Sequence, residues 1–337
     1  MVLSNKDTSQ RKKDHIDLAL QAQINRADDR FFYEPVLNGT QMAPLDISRI
    51  GNKTMQAPIW ISSMTGGTGE AKHINKNLGK VCGKFGLGMG LGSCRIILDN
   101  HDFLPDFQLR KYIGDESPFY ANLGIAQIEK ISESGRWEKI TDLLQKTETD
   151  GLIVHINPLQ EWLQPEGDKI NFPPIQTLQL LIEKLDIQII VKEVGQGMGP
   201  QSLEALFDLP ITGIDFGALG GTNFALLEMM RNQPNILESY GDLAHLGHTA
   251  KEMVHFCNEI LESRKQNDPK TLIVSGGIRT FLDGYYFTSL LQSPAIYGQA
   301  WAMLQRANKS LELLENFVEN QIKGLQMANN FLIPKPI

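Results

Sequence analysis

Eight short apolar runs, each followed by helical or irregular sequence, constrain this chain more than any other feature. They are APIWISSM (57–64), LGMGLGS (87–93), FYANLG (119–124), GLIVHINPL (151–159), IQIIVKEV (187–194), GIDFGA (213–218), TLIVSGG (271–277) and AIYGQA (295–300). Each has the length of a strand, and most lack the polar alternation of a strand with one wet face. Runs of this kind suit parallel strands covered on both sides.

Between the runs lie helix-period segments. Ile74, Leu78, Val81, Cys82 and Phe85 fall on one helical face. Residues 128–147 read as a helix broken near Gly135, and 302–329 as one long final helix. A chain of 337 residues can form two ordinary domains or one barrel-sized domain. No low-complexity linker or shift in composition divides it. The predicted fold is therefore α/β, a (β/α)8 TIM barrel over residues 51–337. Residues 1–50 form an N-terminal extension that closes over the active site. A doubly wound sheet is the competing arrangement.

Barrel enzymes place their chemistry at the C-terminal ends of the strands. Polar and glycine-rich clusters follow the predicted strand ends in order: Met64-Thr65-Gly66-Gly67, Ser93 with Arg95, Asn122, then His155 through Glu161. Lys192, Gly220-Gly221-Thr222, Gly276-Gly277 with Arg279, and Gly298-Gln299-Ala300 complete the series. SGGIR and YGQA occupy the place where barrels bind phosphate, on glycine backbone and a helix N-terminus. An ordinary glycine-rich turn is the plainer reading of either alone. No GxxxxGK[ST] or well-placed GxGxxG is present.

His155, Asn157, Gln160 and Glu161 crowd one strand end, where polar groups are costly to desolvate unless they bind something. Glu161 is either a surface acid or a ligand for Mg²⁺ shared with substrate phosphates. Lys192 pairs with Glu193 or meets an anionic ring. Ile16, Leu20 and Ile24 suggest a helix from about Asp14, with Arg11, Lys12 and Lys13 at its N-terminal end. Those cations are a solvated tail, or an arm that meets a diphosphate.

A net charge of −7 argues against nucleic-acid binding. Three scattered cysteines, Cys82, Cys94 and Cys257, argue against a disulfide framework or zinc site. Without a signal-like N-terminus or a bilayer-length apolar stretch, the expectation is a cytoplasmic protein without a membrane partner.

In order along the chain, RKKDH, MTGG, GSCR, NPLQE…PEGD, VKEVGQG, GGT and SGGIR resemble the motifs of type 2 isopentenyl diphosphate isomerases. The resemblance implies a homo-oligomer, a tetramer or octamer. It also implies a flavin mononucleotide (FMN) enzyme interconverting isopentenyl and dimethylallyl diphosphate. Reduced FMN acts in acid–base chemistry there, with Mg²⁺ and with NADPH as reductant. By the same resemblance Met64, Thr65, Gly66, Ser93, Asn122, Lys192, Thr222, Gly276, Gly277, Arg279, Gln299 and Ala300 contact the flavin. Arg11, Lys12, His15, Ser93, Arg95 and Gln160 contact substrate, Gln160 and His155 are catalytic, and Glu161 holds the metal.

The chain departs from the usual pattern at Phe281, at Asn223-Phe224, at Ala244–Ala250 and at Cys94. Two alternatives remain: an FMN-dependent 2-hydroxy-acid oxidase or dehydrogenase, and a non-catalytic flavin-binding paralogue.

Overall fold

The computed structural model describes residues 5–62, 69–264 and 270–336. Its centre is a closed barrel of eight parallel strands. These are β1 (Ile59–Ile61), β2 (Gly88–Gly90), β3 (Phe119–Gly124), β4 (Gly151–Ile156), β5 (Gln188–Glu193), β6 (Gly213–Asp215), β7 (Thr271–Val274) and β8 (Ala295–Gln299). Each lies within one of the predicted apolar runs. Consecutive strands pair in parallel, and β8 returns to β1 through Gly298↔Trp60.

The strands are apolar over most of their length because both faces are buried. Trp60, Tyr120, Ile153, Ile190, Ile273 and Ile296 form one cluster inside the barrel, closed below by Ile50 and Met55 of the hairpin Ser48–Ile50/Lys53–Met55. Their neighbours Ile59, Ile61, Leu152, Val154, Ile189, Val191, Leu272 and Val274 pack outward against the helices. The period-2 alternation of a strand thus survives as two apolar sets. The hairpin crosses residue 50, so the barrel floor draws on both sides of that position.

Two predicted helices end differently. The C-terminal segment is two helices, Trp301–Lys309 and Leu311–Phe331. Ser310 between them is extended, and its hydroxyl accepts the Leu313 N–H at 3.1 Å. Serine at that position caps a new helix more readily than it continues the old one. The predicted break in 128–147 is present, with Gly135 left-handed at φ 67°.

The N-terminal helix spans Asn5–Leu18 rather than starting near Asp14, which puts Arg11, Lys12 and Lys13 in its body. Residues 9–29 are exposed, Ile16, Leu20 and Ile24 among them. With no apolar face to bury, local propensity decides. Gln, Arg and Lys favour helix, and Gln10 bonds Asp14 one turn on at 2.7 Å. No helix among the described residues is long and apolar enough to cross a membrane.

Candidate functional site

The alternation that builds the barrel interior also builds the site. Two residues beyond Trp60, Tyr120, Ile153, Ile190, Ile273 and Ile296 stand Ser62, Asn122, His155, Lys192, Ser275 and Gly298. A polar layer therefore caps the apolar one at the C-terminal end, and its members are neighbours by register. His155 pairs with Lys192, and Lys192 with Asp215.

One half of this rim, over β5 to β8, is a cavity of about 510 Å³. Lys192, Ser62, Thr222, Gly276, Gly277 and Arg279 are among its lining residues. Its floor is backbone. Gly276 and Gly277 have φ of 87° and 73°, and a Cβ on Gly276 would stand 2.0 Å from the Ala218 carbonyl oxygen. A Cβ on Gly221 would come within 3.2 Å of the Gly277 nitrogen. The loops after β6 and β7 thus approach as closely as glycine permits.

Buried Ser62 Oγ has no hydrogen-bond partner among the described residues and lines this cavity. Buried Asp215 accepts the Ser275 hydroxyl on Oδ1 and leaves Oδ2 unpartnered. Burial pushes the Asp215 carboxyl up, against the opposing pull of the Lys192 ammonium. Lys192 Nζ donates to the Glu193 carbonyl at 2.6 Å, while the Glu193 carboxylate accepts the N–H groups of Gly195, Gln196 and Gly197. The Lys192–Glu193 contact is therefore to backbone.

At the phosphate end, the Arg279 and Thr280 N–H groups are already taken by Asp283 at 3.0 and 2.8 Å. The helix Trp301–Lys309, by contrast, starts without a side-chain cap, and its Trp301 and Ala302 line the cavity. That second helix end, with the Gly276-Gly277 backbone, suits an anion better than the helix beginning at Phe281. Unpaired polar atoms, a glycine floor and a helix terminus together fit a planar cofactor carrying a phosphate.

The other half of the rim, over β3 and β4, is built from side chains. Asn122 Nδ2 donates to the Leu91 carbonyl at 3.1 Å, so its Oδ1 faces His155 Nδ1 at 2.8 Å. That arrangement assigns the proton to Nδ1 and leaves Nε2 a lone pair. Desolvation, with the Lys192 charge, lowers the His155 pKa to about 4, and the ring is neutral near pH 7.

Beyond it, Asn157 Nδ2 donates to Gln160 Oε1 and to Glu161 Oε1, both at 3.1 Å. Gln160 Nε2 reaches Glu228 Oε1 at 3.1 Å, and Arg231 bridges Glu228 and Glu166. Glu161 Oε2 accepts the Asp168 N–H at 2.7 Å. Buried Asn157 Oδ1 has no partner among the described residues. With the Glu161 carboxylate it gives a set of oxygen donors suited to a hard cation. Asn157, Gln160 and Glu161 on one turn of chain thus meet Glu228 from a distant helix.

The structure brings Asn122, His155, Gln160, Glu161 and Lys192 to one rim, with Thr222, Gly276, Gly277, Arg279 and Ala300 around the cavity. Gln299 contributes backbone, because its amide is bonded to Ile278 O and Gln321 within the core. Ser93 and Arg95 are exposed at the β2 edge, with Arg95 ion-paired to Asp168 at 3.0 Å. Arg11, Lys12 and His15 sit on the exposed helix, apart from the rim clusters. Met64, Thr65 and Gly66 lie outside the described residues.

Glu228 was absent from the sequence expectations. Its signal was a single acid in the apolar helix FALLEMMR, where it is 3% exposed. Cys94 is a buried thiol pushed up to about 12 by burial, which fits packing rather than reactivity.

The departures are accommodated. Phe281 packs over Gly324, where a Cβ would stand 2.7 Å from its ring. Asn223 caps the helix Phe224–Arg231 through Leu226 N–H and donates to the Ala244 carbonyl at 2.9 Å. The changes at 223 and in 244–250 therefore meet in one hydrogen bond.

No protein-family model matches the chain. It is 31% identical to an isopentenyl-diphosphate delta-isomerase of Cronobacter sakazakii, over 97% of this chain and 93% of that one. An isomerase of the same name from Synechocystis is 30% identical over 95% and 91%. Among solved structures, a flavocytochrome b2 with sulfite bound is 14% identical, with a TM-score of 0.60 over 89% of this chain and 71% of the other. A mandelate oxidase variant with (S)-mandelic acid is 11% identical, with a TM-score of 0.54 over 92% and 87%. At such identities these two establish the barrel fold alone.

Proposed function

Because the chain belongs to the type 2 isopentenyl-diphosphate delta-isomerase family, we propose that it interconverts isopentenyl and dimethylallyl diphosphate at this rim. The observation that carries the reading is the register of β4 and β5. It pairs His155 with Lys192, a lining residue of the cofactor-sized cavity, and the Gln160–Glu161 turn follows His155 along the chain.

FMN occupies the cavity in this reading, held by Lys192, Thr222, Gly276, Gly277, Arg279 and Ala300, with Ser93 and Asn122 at its edge. In its reduced form FMN supplies an acid–base group next to the substrate alkene, and NADPH serves as reductant. Shifting the double bond adds a proton at the terminal alkene carbon and removes one from C2, without net oxidation. An alkene is a weak base, so both transfers need a close, oriented and water-poor environment.

Gln160 supplies orientation, since its amide is fixed at one end by Asn157 and at the other by Glu228. His155 offers its Nε2 lone pair and remains uncharged. Glu161 with Asn157 Oδ1 holds Mg²⁺ on the substrate diphosphate. Arg95 contacts the same anion. Residues 1–50 close over the bound substrate, bringing Arg11, Lys12 and His15 to the diphosphate, and the enzyme acts as a homo-oligomer.

The test is anaerobic incubation of purified protein with FMN, Mg²⁺, NADPH and isopentenyl diphosphate, with dimethylallyl diphosphate as the readout. Product that requires the reductant supports the proposal. No product from a folded, flavin-loaded sample rejects it. Bleaching of the bound flavin by lactate or mandelate would instead favour the 2-hydroxy-acid oxidase reading.

A further inference from the structure

Asp168 has no part in the chemistry above, yet the two sides of the proposed diphosphate site meet on it. Its side chain is 11% exposed. Oδ2 accepts from Gln127 Nε2 at 2.9 Å and faces Arg95 Nη1 at 3.0 Å, while Oδ1 accepts from Lys130 Nζ at 2.5 Å. Its backbone N–H donates in the opposite direction, to Glu161 Oε2 at 2.7 Å. Gln127 is itself fixed, accepting the Gly124 N–H at the end of β3 at 3.0 Å.

We propose that Asp168 is a positioning residue that couples the anion-binding Arg95 to the metal-binding Glu161, so that magnesium and diphosphate bind as one unit. The inference rests on the site reading given above. Arg95 leaves a single 3₁₀ turn with its side chain 51% exposed, and a long side chain there samples many rotamers. The bond to Asp168 restricts it to one side of the rim.

One carboxylate shared by Arg95 and Lys130 leaves a net positive charge for the incoming anion. The loop also packs closely on the Glu161 turn, since a Cβ at Gly167 would stand 1.9 Å from the Glu161 carbonyl oxygen. Movement of Asp168 therefore moves the guanidinium through its side chain and the carboxylate through its amide.

Calorimetric titration of the flavin-loaded protein with inorganic pyrophosphate, with and without Mg²⁺, tests this. The readout is the ratio of the two dissociation constants, which a merely structural role does not move. In wild type Mg²⁺ is expected to tighten binding by about tenfold or more, and in Asp168→Asn that ratio is expected to fall towards one.

Arg95→Lys, an exposed change that spares the fold, keeps the test open should Asp168→Asn fail to fold. If Asp168 holds the guanidinium fork, the ratio falls there too; if Arg95 is only a charge, both constants shift and the ratio stays. An unchanged ratio in either folded variant overturns the proposal. A wild type that binds no pyrophosphate overturns the site reading and the proposal together.

Discussion

The two halves of the rim are built by different means. Over β6 to β8 the surface is mainly backbone, with glycines at positive φ and a side-chain amide, Gln299, turned away into the core. Over β3 and β4 it is side chains bonded to side chains, Asn122 with His155, and Asn157 with Gln160 and on to Glu228. A backbone surface tolerates changes in neighbouring side chains provided the chain path persists. This explains how Phe281, Asn223 and Phe224 can depart from the family pattern around the cavity. A side-chain network has no such slack, because each buried polar partner left unpaired costs about 1–3 kcal/mol.

Four experiments break or sharpen that contrast. The largest effect belongs to Gln160→Leu, which removes the oriented amide and leaves Glu228 without that donor. Turnover should fall roughly 10²-fold, the scale expected when a reacting group loses its orientation, while flavin titration stays as in wild type. Gly277→Ala is the converse. A side chain at φ 73° costs about 1–2 kcal/mol, so flavin should bind roughly tenfold more weakly by fluorescence titration, with turnover restored at saturating flavin.

The third experiment probes the seam between the halves. Proton NMR should place the His155 pKa near 4, below the ordinary 6.5, and Lys192→Met should raise it by removing a neighbouring positive charge. The sign for stability follows. A histidine with a depressed pKa takes up protons more readily when unfolded, so its contribution is complete above about pH 6.5. It is lost as pH falls towards 4. The smallest effect lies outside both halves. Ser310→Ala should lower unfolding free energy by about 1 kcal/mol in a denaturant melt, through loss of the cap, and leave turnover unchanged.

All eight strands were legible because parallel strands buried on both faces leave continuous apolar runs. The residues that end them were legible because polar groups at such ends have few other uses. Helix ends were harder to read. The cap at Ser310 and the extended N-terminal helix depend on local bonds and missing burial that periodicity does not register. Glu228 escaped notice, and Asp168 of PEGD received no role, for another reason. Glu228 reaches Gln160 across 68 positions of chain, and Asp168 reads as an ordinary loop acid until Arg95, Lys130 and Gln127 fold around it. Spacing reveals a strand end; it does not reveal which distant helix will lie above it.

The short ribbon joining Phe31–Tyr33 to Leu332–Pro334 has a consequence at the far end of the chain. Together with the Lys335 N–H to Arg30 carbonyl bond and the Arg30–Asp283 ion pair, both 2.8 Å, it fixes the root of the N-terminal arm on the barrel. Arg11 and Lys12, proposed to meet the diphosphate, then search a volume bounded by their leash, at an effective concentration on the order of millimolar. The last strand thus sets how often the first cations visit the rim. Trimming residues 332–336 is expected to slow substrate capture at a site those residues never touch.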